Sequence, residues 1–107
     1  MTYVDSDKIL APWLKRHGLH VFTMDREVEV RSIDVVDDTG DRCQITLSEP
    51  DASGRVTIFA WNCKSKRKSK SKEFQSTLSE LEEALEEAYA QVMEWVKQAG
   101  HARTPIF

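Results

Sequence analysis

The sequence predicts an α+β fold: a short N-terminal helix, an antiparallel meander of three to four strands, and a long C-terminal amphipathic helix packed on one sheet face. Three observations carry this reading. Residues 78–99 repeat apolar side chains in steps of three and four, residues 19–63 alternate with a period of two, and the turn-rich breaks DDTGD and EPDASG divide that alternating stretch. At 107 residues the chain is read as a single domain over 1–107, near the usual size for one hydrophobic core.

The first element is SDKILAPWLKRHG. Ile9, Leu10, Trp13 and Leu14 fall on one helical face, Ser6 or Asp5 can cap the start, and Gly18 suits a left-handed stop. Pro12 removes a backbone bond and crowds the preceding turn, so the helix is expected either to begin near Ile9 or to kink. Strand patterns follow in LHVFTMD, EVEVRSIDVV, RCQITLS and RVTIFAWNC. In RCQITLS the residues Cys43, Ile45 and Leu47 share one face, and a phase shift between Val30 and Ile33 fits a bulge near Arg31 or Ser32.

The last helix is the clearest element. Leu78, Leu81, Leu85, Ala88, Val92, Trp95 and Ala99 make an apolar stripe, while Glu80, Glu82, Glu83, Glu86, Glu87 and Glu94 occupy the remaining faces. TLSE reads as a capping box from Thr77 to Glu80, and Gly100 as the stop, leaving 101–107 as a loose tail or one docked by Ile106 and Phe107. The spacing suits a core stripe and also a coiled-coil seam. Tyr89, Met93 and Val96 widen it beyond a seam and favour the core.

The same residues bound the chemistry. The four glycines are all taken by helix ends and turns, and neither G-x-G-x-x-G nor G-x-x-x-x-G-K-[ST] occurs, which removes the common nucleotide-binding loops. Cys43 and Cys63 stand far apart outside any C-x-x-C pattern and read as reduced thiols in strands. His17 and His20 flank the predicted helix end at Gly18, so their rings diverge; His17 reads as a residue complementing the helix dipole. The expectation is a non-enzyme without cofactor or metal. MTYVDSDKIL lacks the features of a secretory signal and no apolar run is long enough to span a bilayer, so a cytoplasmic protein without membrane attachment is expected.

Two features are candidates for binding. If Val56, Ile58 and Ala60 face the long helix, Phe59 and Trp61 face the other side of the sheet, with Cys63. The expected cover for that side is the N-terminal helix with Trp13 and Leu14. Without it the aromatics, with Trp13 among the candidate contacts, mark a protein-binding surface or a stacking platform for bases. The second feature is KSKRKSKSK, a basic loop over 64–72 that places Lys64, Lys66, Arg67, Lys68, Lys70 and Lys72 within a chain of net charge −3. Without these six, nine basic residues face eighteen acidic ones. The run reads first as an extended, solvated connection and second as a nucleic-acid contact.

The order α-β-β-β-α resembles that of the double-stranded RNA-binding domain, whose second helix opens with basic residues. Here that helix opens with TLSELEE, which repels phosphate. Small size, acidity and α+β order are also similar to those of secretion chaperones and immunity proteins. The sequence thus points to a small non-catalytic protein-binding module, an adaptor, chaperone or immunity-like protein, monomeric or homodimeric, whose partner is another protein. The alternative is RNA binding through residues 64–72.

Overall fold

In a computed structural model of the chain, residues 2–36, 42–62 and 71–103 are described, Asp25 and residues 97–103 by their backbone alone. The order is α1 (Tyr3–His17), β1 (Val21–Asp25), β2 (Val28–Val36), β3 (Arg42–Leu47), β4 (Arg55–Asn62), β5 (Ser71–Thr77), a short 3₁₀ turn (Leu78–Glu80) and α2 (Leu81–Arg103). The strands form one antiparallel sheet in the order β1-β2-β3-β4-β5. The architecture is therefore the expected α+β meander, with five strands in place of three or four. The additional strand is SKEFQST, directly after the basic run. It has one large apolar residue, half-buried Phe74, because an edge strand held by its ladder to β4 buries little of its own. Lys72 consequently belongs to a strand and not to a loop.

Helix α1 begins earlier than its apolar face suggests. Thr2, not Asp5 or Ser6, is the N-cap: its hydroxyl accepts from the Val4 N–H at 3.2 Å, and the Asp5 carboxylate accepts from the Thr2 N–H at 3.0 Å. The helix runs through Pro12, whose ring is exposed; the Lys8 carbonyl that loses its partner lies on the same watery side. Gly18 closes it at φ 64°, ψ 34°, in the left-handed region, with its N–H directed to the Leu14 and Lys15 carbonyls.

The entry to α2 departs from the predicted capping box. The Thr77 side chain caps no backbone N–H; its hydroxyl lies 3.2 Å from the Glu80 carboxylate, and the helix opens through the 3₁₀ turn. Nor does Gly100 stop it, since the helix continues to Arg103. Residues 104–107, with Ile106 and Phe107, lie outside the described residues, as do the Ala99 side chain and Gly40.

Both helices pack on the same face of the sheet. Leu81, Leu85, Ala88, Val92 and Trp95 of α2 join Leu10, Trp13 and Leu14 of α1 over Ile33, Val35, Cys43, Ile45, Leu47, Val56, Ile58 and Ala60 in one buried cluster. Each fully buried leucine, isoleucine or valine there contributes about 1.5–3 kcal/mol by removal from water. The stripe of α2 is thus core, and the coiled-coil reading falls. The register of β1 on β2 slips between Phe22↔Ser32 and Met24↔Glu29, so that β2 uses three steps against two in β1, which places the bulge at Val30–Arg31 as the phase shift predicted.

Candidate functional site

Because the strands alternate, everything that does not meet the helices points to the second face. The register aligns Phe22, Ser32, Thr46, Phe59 and Glu73 in one row across the sheet, and Asp34, Gln44, Trp61 and Ser71 in the next. No helix or loop among the described residues covers these rows. Phe22 is 53% exposed, Met24 59%, Phe59 40% and Trp61 37%. The expected cover by α1 fails for a packing reason: Trp13 is 0% exposed and sits between the sheet and α2, its indole N–H donating to Glu86 at 2.8 Å. Trp13 is therefore a core residue and leaves the set of candidate contacts. Phe59 and Trp61 stay in it, on the face that alternation assigned to them.

Polar side chains organise the middle of this face. The Trp61 indole N–H donates to Gln44 Oε1 at 3.0 Å, the Gln44 amide donates to Asp34 Oδ1 at 3.0 Å, and Arg42 Nη1 stands 3.7 Å from Asp34 Oδ2. Thr57 and Gln75 continue the pattern toward β5 with a 3.2 Å bond, and the Gln75 amide donates to Glu73 at 2.8 Å. These bonds fix the Trp61 ring against the sheet, which lowers the entropy lost when something packs on it. Over β1, β2 and β3 lies a shallow depression of about 400 Å³, lined by Phe22, Met24, Val30, Ser32, Asp34, Arg42, Gln44 and Thr46; Phe59 and Trp61 stand beside it on β4 and do not line it. Sequence reasoning found Phe59 and Trp61 by period alone. It missed Phe22 and Met24, since LHVFTMD reads as a short apolar run whose open side only the neighbouring strands define.

Of the basic run, Lys64, Lys66, Arg67, Lys68 and Lys70 lie outside the described residues, together with Cys63. Lys72 is exposed and pairs across the ladder with Ala60, a residue of the covered side. Its ammonium stands 5.2 Å from the Phe74 ring centroid, on the opposite side of the sheet from Phe59 and Trp61. The aromatic face and this lysine therefore do not form one site. Two described cations are assigned to the open face by lining or register: Arg42, which is engaged with Asp34, and Arg55, at the far end of β4 from Trp61.

A second polar cluster joins the helices. His17 Nε2 lies 2.8 Å from Glu86 Oε1, the oxygen that also accepts from Trp13, and Arg16 reaches Glu82. The His17 ring packs 4.7 Å from that of Trp13 and 4.5 Å from that of Tyr89. Hydrogen bonds from His17 and Trp13 hold the Glu86 carboxyl below its ordinary pKa. His20, beyond Gly18, is exposed. Among the described residues no group of three His, Cys, Asp or Glu side chains is arranged to hold a metal ion, and no helix is long and apolar enough to cross a membrane. Compared with family models, with curated proteins and with solved structures, the chain finds no match.

Proposed function

We propose that the protein is a non-catalytic binding module whose open sheet face, centred on Phe59 and Trp61, docks another protein. The observation that supports this most is the exposure of Phe22, Met24, Val36, Phe59 and Trp61 on one side of a sheet whose other side already holds the complete core. Apolar groups gathered on one face beyond what a core requires mark an interaction surface. The arrangement, apolar at Phe22/Met24 and Phe59/Trp61 with a hydrogen-bonded strip between, suits a polypeptide that presents apolar residues at both ends of a polar centre. The exposed glutamates of α2, Glu82, Glu83, Glu86, Glu87 and Glu94, speed encounter with a basic partner and discourage nucleic acid.

Co-purification from the native cell, run in parallel with two variants, tests this reading. Phe59→Thr with Trp61→Thr is expected to lose the bound protein while keeping the thermal midpoint, and replacement of the six basic residues of 64–72 by Gln is expected to keep it. RNA binding by the parent at physiological salt that disappears in the Gln variant would transfer the function to the basic run, since phosphate contacts weaken steeply with salt and depend on those charges.

A further inference from the structure

The two edges of the sheet are built differently. β5 carries Lys72 and Glu73 and follows the six-cation run in sequence, the charged edge by which proteins discourage strand addition. β1, the other edge, reads VFTMD, without lysine, arginine or proline, and its outer side is paired with nothing among the described residues. The bulge lies in β2, so β1 itself is an unbroken run of five residues. Asp25 and Val28 close the two-residue turn, which directs the Asp25, Thr23 and Val21 backbone groups toward β2 and leaves those of Phe22 and Met24 directed outward.

We infer that β1 is a dimerisation edge whose occupant is β1 of a second copy, joined antiparallel about a two-fold axis through Thr23. That register is the one that pairs all five residues of the strand. It sets Phe22 opposite Met24 twice, Thr23 opposite Thr23, and Val21 opposite Asp25, with the outward groups of Phe22 and Met24 bonding each other. No like charges meet. Phe22 and Met24, 53% and 59% exposed in the single chain, become two sulfur–aromatic contacts, and Thr–Thr is a favourable cross-strand pair. A β1–β5 union leaves further edges free and propagates into a fibre, whereas β1–β1 closes after two copies. Five residue pairs bury less than a standard interface, so the dimer is weak and forms with rising concentration. The inference shares Phe22 and Met24 with the proposed partner face, but its test residue does not: Thr23 alternates with them and points to the helix-bearing side, so Thr23 variants separate the two readings.

Sedimentation equilibrium of the full chain checks it. The weight-average mass is expected to climb from 12.3 kDa toward twice that value as concentration rises. Thr23→Lys, which sets two ammonium groups opposite each other at the axis, is expected to weaken the dimer tenfold or more while leaving Phe59 and Trp61 untouched. For a readout that survives any loss of fold in that variant, Thr23→Cys in a Cys63→Ser background is oxidised mildly. Cα atoms of a non-hydrogen-bonded antiparallel pair lie about 4.5 Å apart, inside the disulfide range of about 4.4–6.8 Å. A covalent dimer is expected there and not from Ala90→Cys on the exposed side of α2. A 12.3 kDa species at every concentration up to millimolar, or a dimer that ignores Thr23→Lys and gives no more cross-link at position 23 than at 90, overturns the inference.

Discussion

Arg31 of β2 grips Asp7 of α1 with two parallel hydrogen bonds, Nε to Oδ1 and Nη2 to Oδ2, each 2.8 Å long. The guanidinium also donates to the Val30 carbonyl at 2.8 Å and lies 4.3 Å from the centroid of the Tyr3 ring, whose hydroxyl donates to the Leu47 carbonyl at 3.3 Å. The pair thus clamps the first turns of α1 to the bulged part of the sheet, and the Asp7 bonds hold the Arg31 pKa above its ordinary value.

Removing one partner leaves a charge without its mate. The Arg31 side chain is 7% exposed and that of Asp7 40%, so Asp7→Ala is expected to cost about 2–3 kcal/mol, below the 3–5 of a fully buried pair. Combining it with Arg31→Met is expected to recover part of the loss. Urea unfolding of the two variants measures both effects; an Asp7→Ala protein as stable as the parent would mean that the clamp is ornamental to folding.

Leu85 sits in the middle of the α2 stripe and is fully buried. Leu85→Ala is expected to destabilise by about 2–5 kcal/mol, the removed methyls and the cavity acting together. A loss under about 0.5 kcal/mol, the range of surface substitutions, would contradict the packing described.

The β1–β2 turn holds Arg26 at φ 49° and Glu27 at φ 70°, both left-handed without glycine. Each such residue costs on the order of 1 kcal/mol, and Asn-Gly is the pair suited to this turn. Arg26→Asn with Glu27→Gly is therefore expected to stabilise by about 1 kcal/mol, raising the thermal midpoint by about 4–8 °C. A midpoint that stays put or falls would speak against the left-handed turn.

Acid should loosen the helix pair. The hydrogen bonds from His17 and Trp13 depress the Glu86 pKa from its ordinary 4.5, so its contribution is complete above that value and disappears as pH falls through the folded-state pKa. Glu86→Gln is expected to lower stability near neutrality and to bring parent and variant together in strong acid. Thermal midpoints across the acid range decide; a gap that persists at the lowest pH would assign the effect to packing and not to ionisation.

Much of the fold and part of the site could be read from residue order. Period and turn chemistry located both helices and a meander of three to four strands, because amphipathic spacing in α2 and alternation in RCQITLS depend only on local geometry. The same alternation put Phe59 and Trp61 opposite Val56, Ile58 and Ala60. What depends on distant neighbours could not be read. SKEFQST becomes a strand only because β4 offers it a ladder, whereas the Thr2–Asp5 capping box is a local signal that lies upstream of the apolar face from which the helix was read. Whether α1 lies beside α2 or across the sheet is decided by Trp13 filling the space between the sheet and α2 and bonding to Glu86, a relation across 73 positions that no local pattern encodes. That single packing choice leaves the aromatic face open, because a helix can bury its stripe on only one side of a sheet at a time.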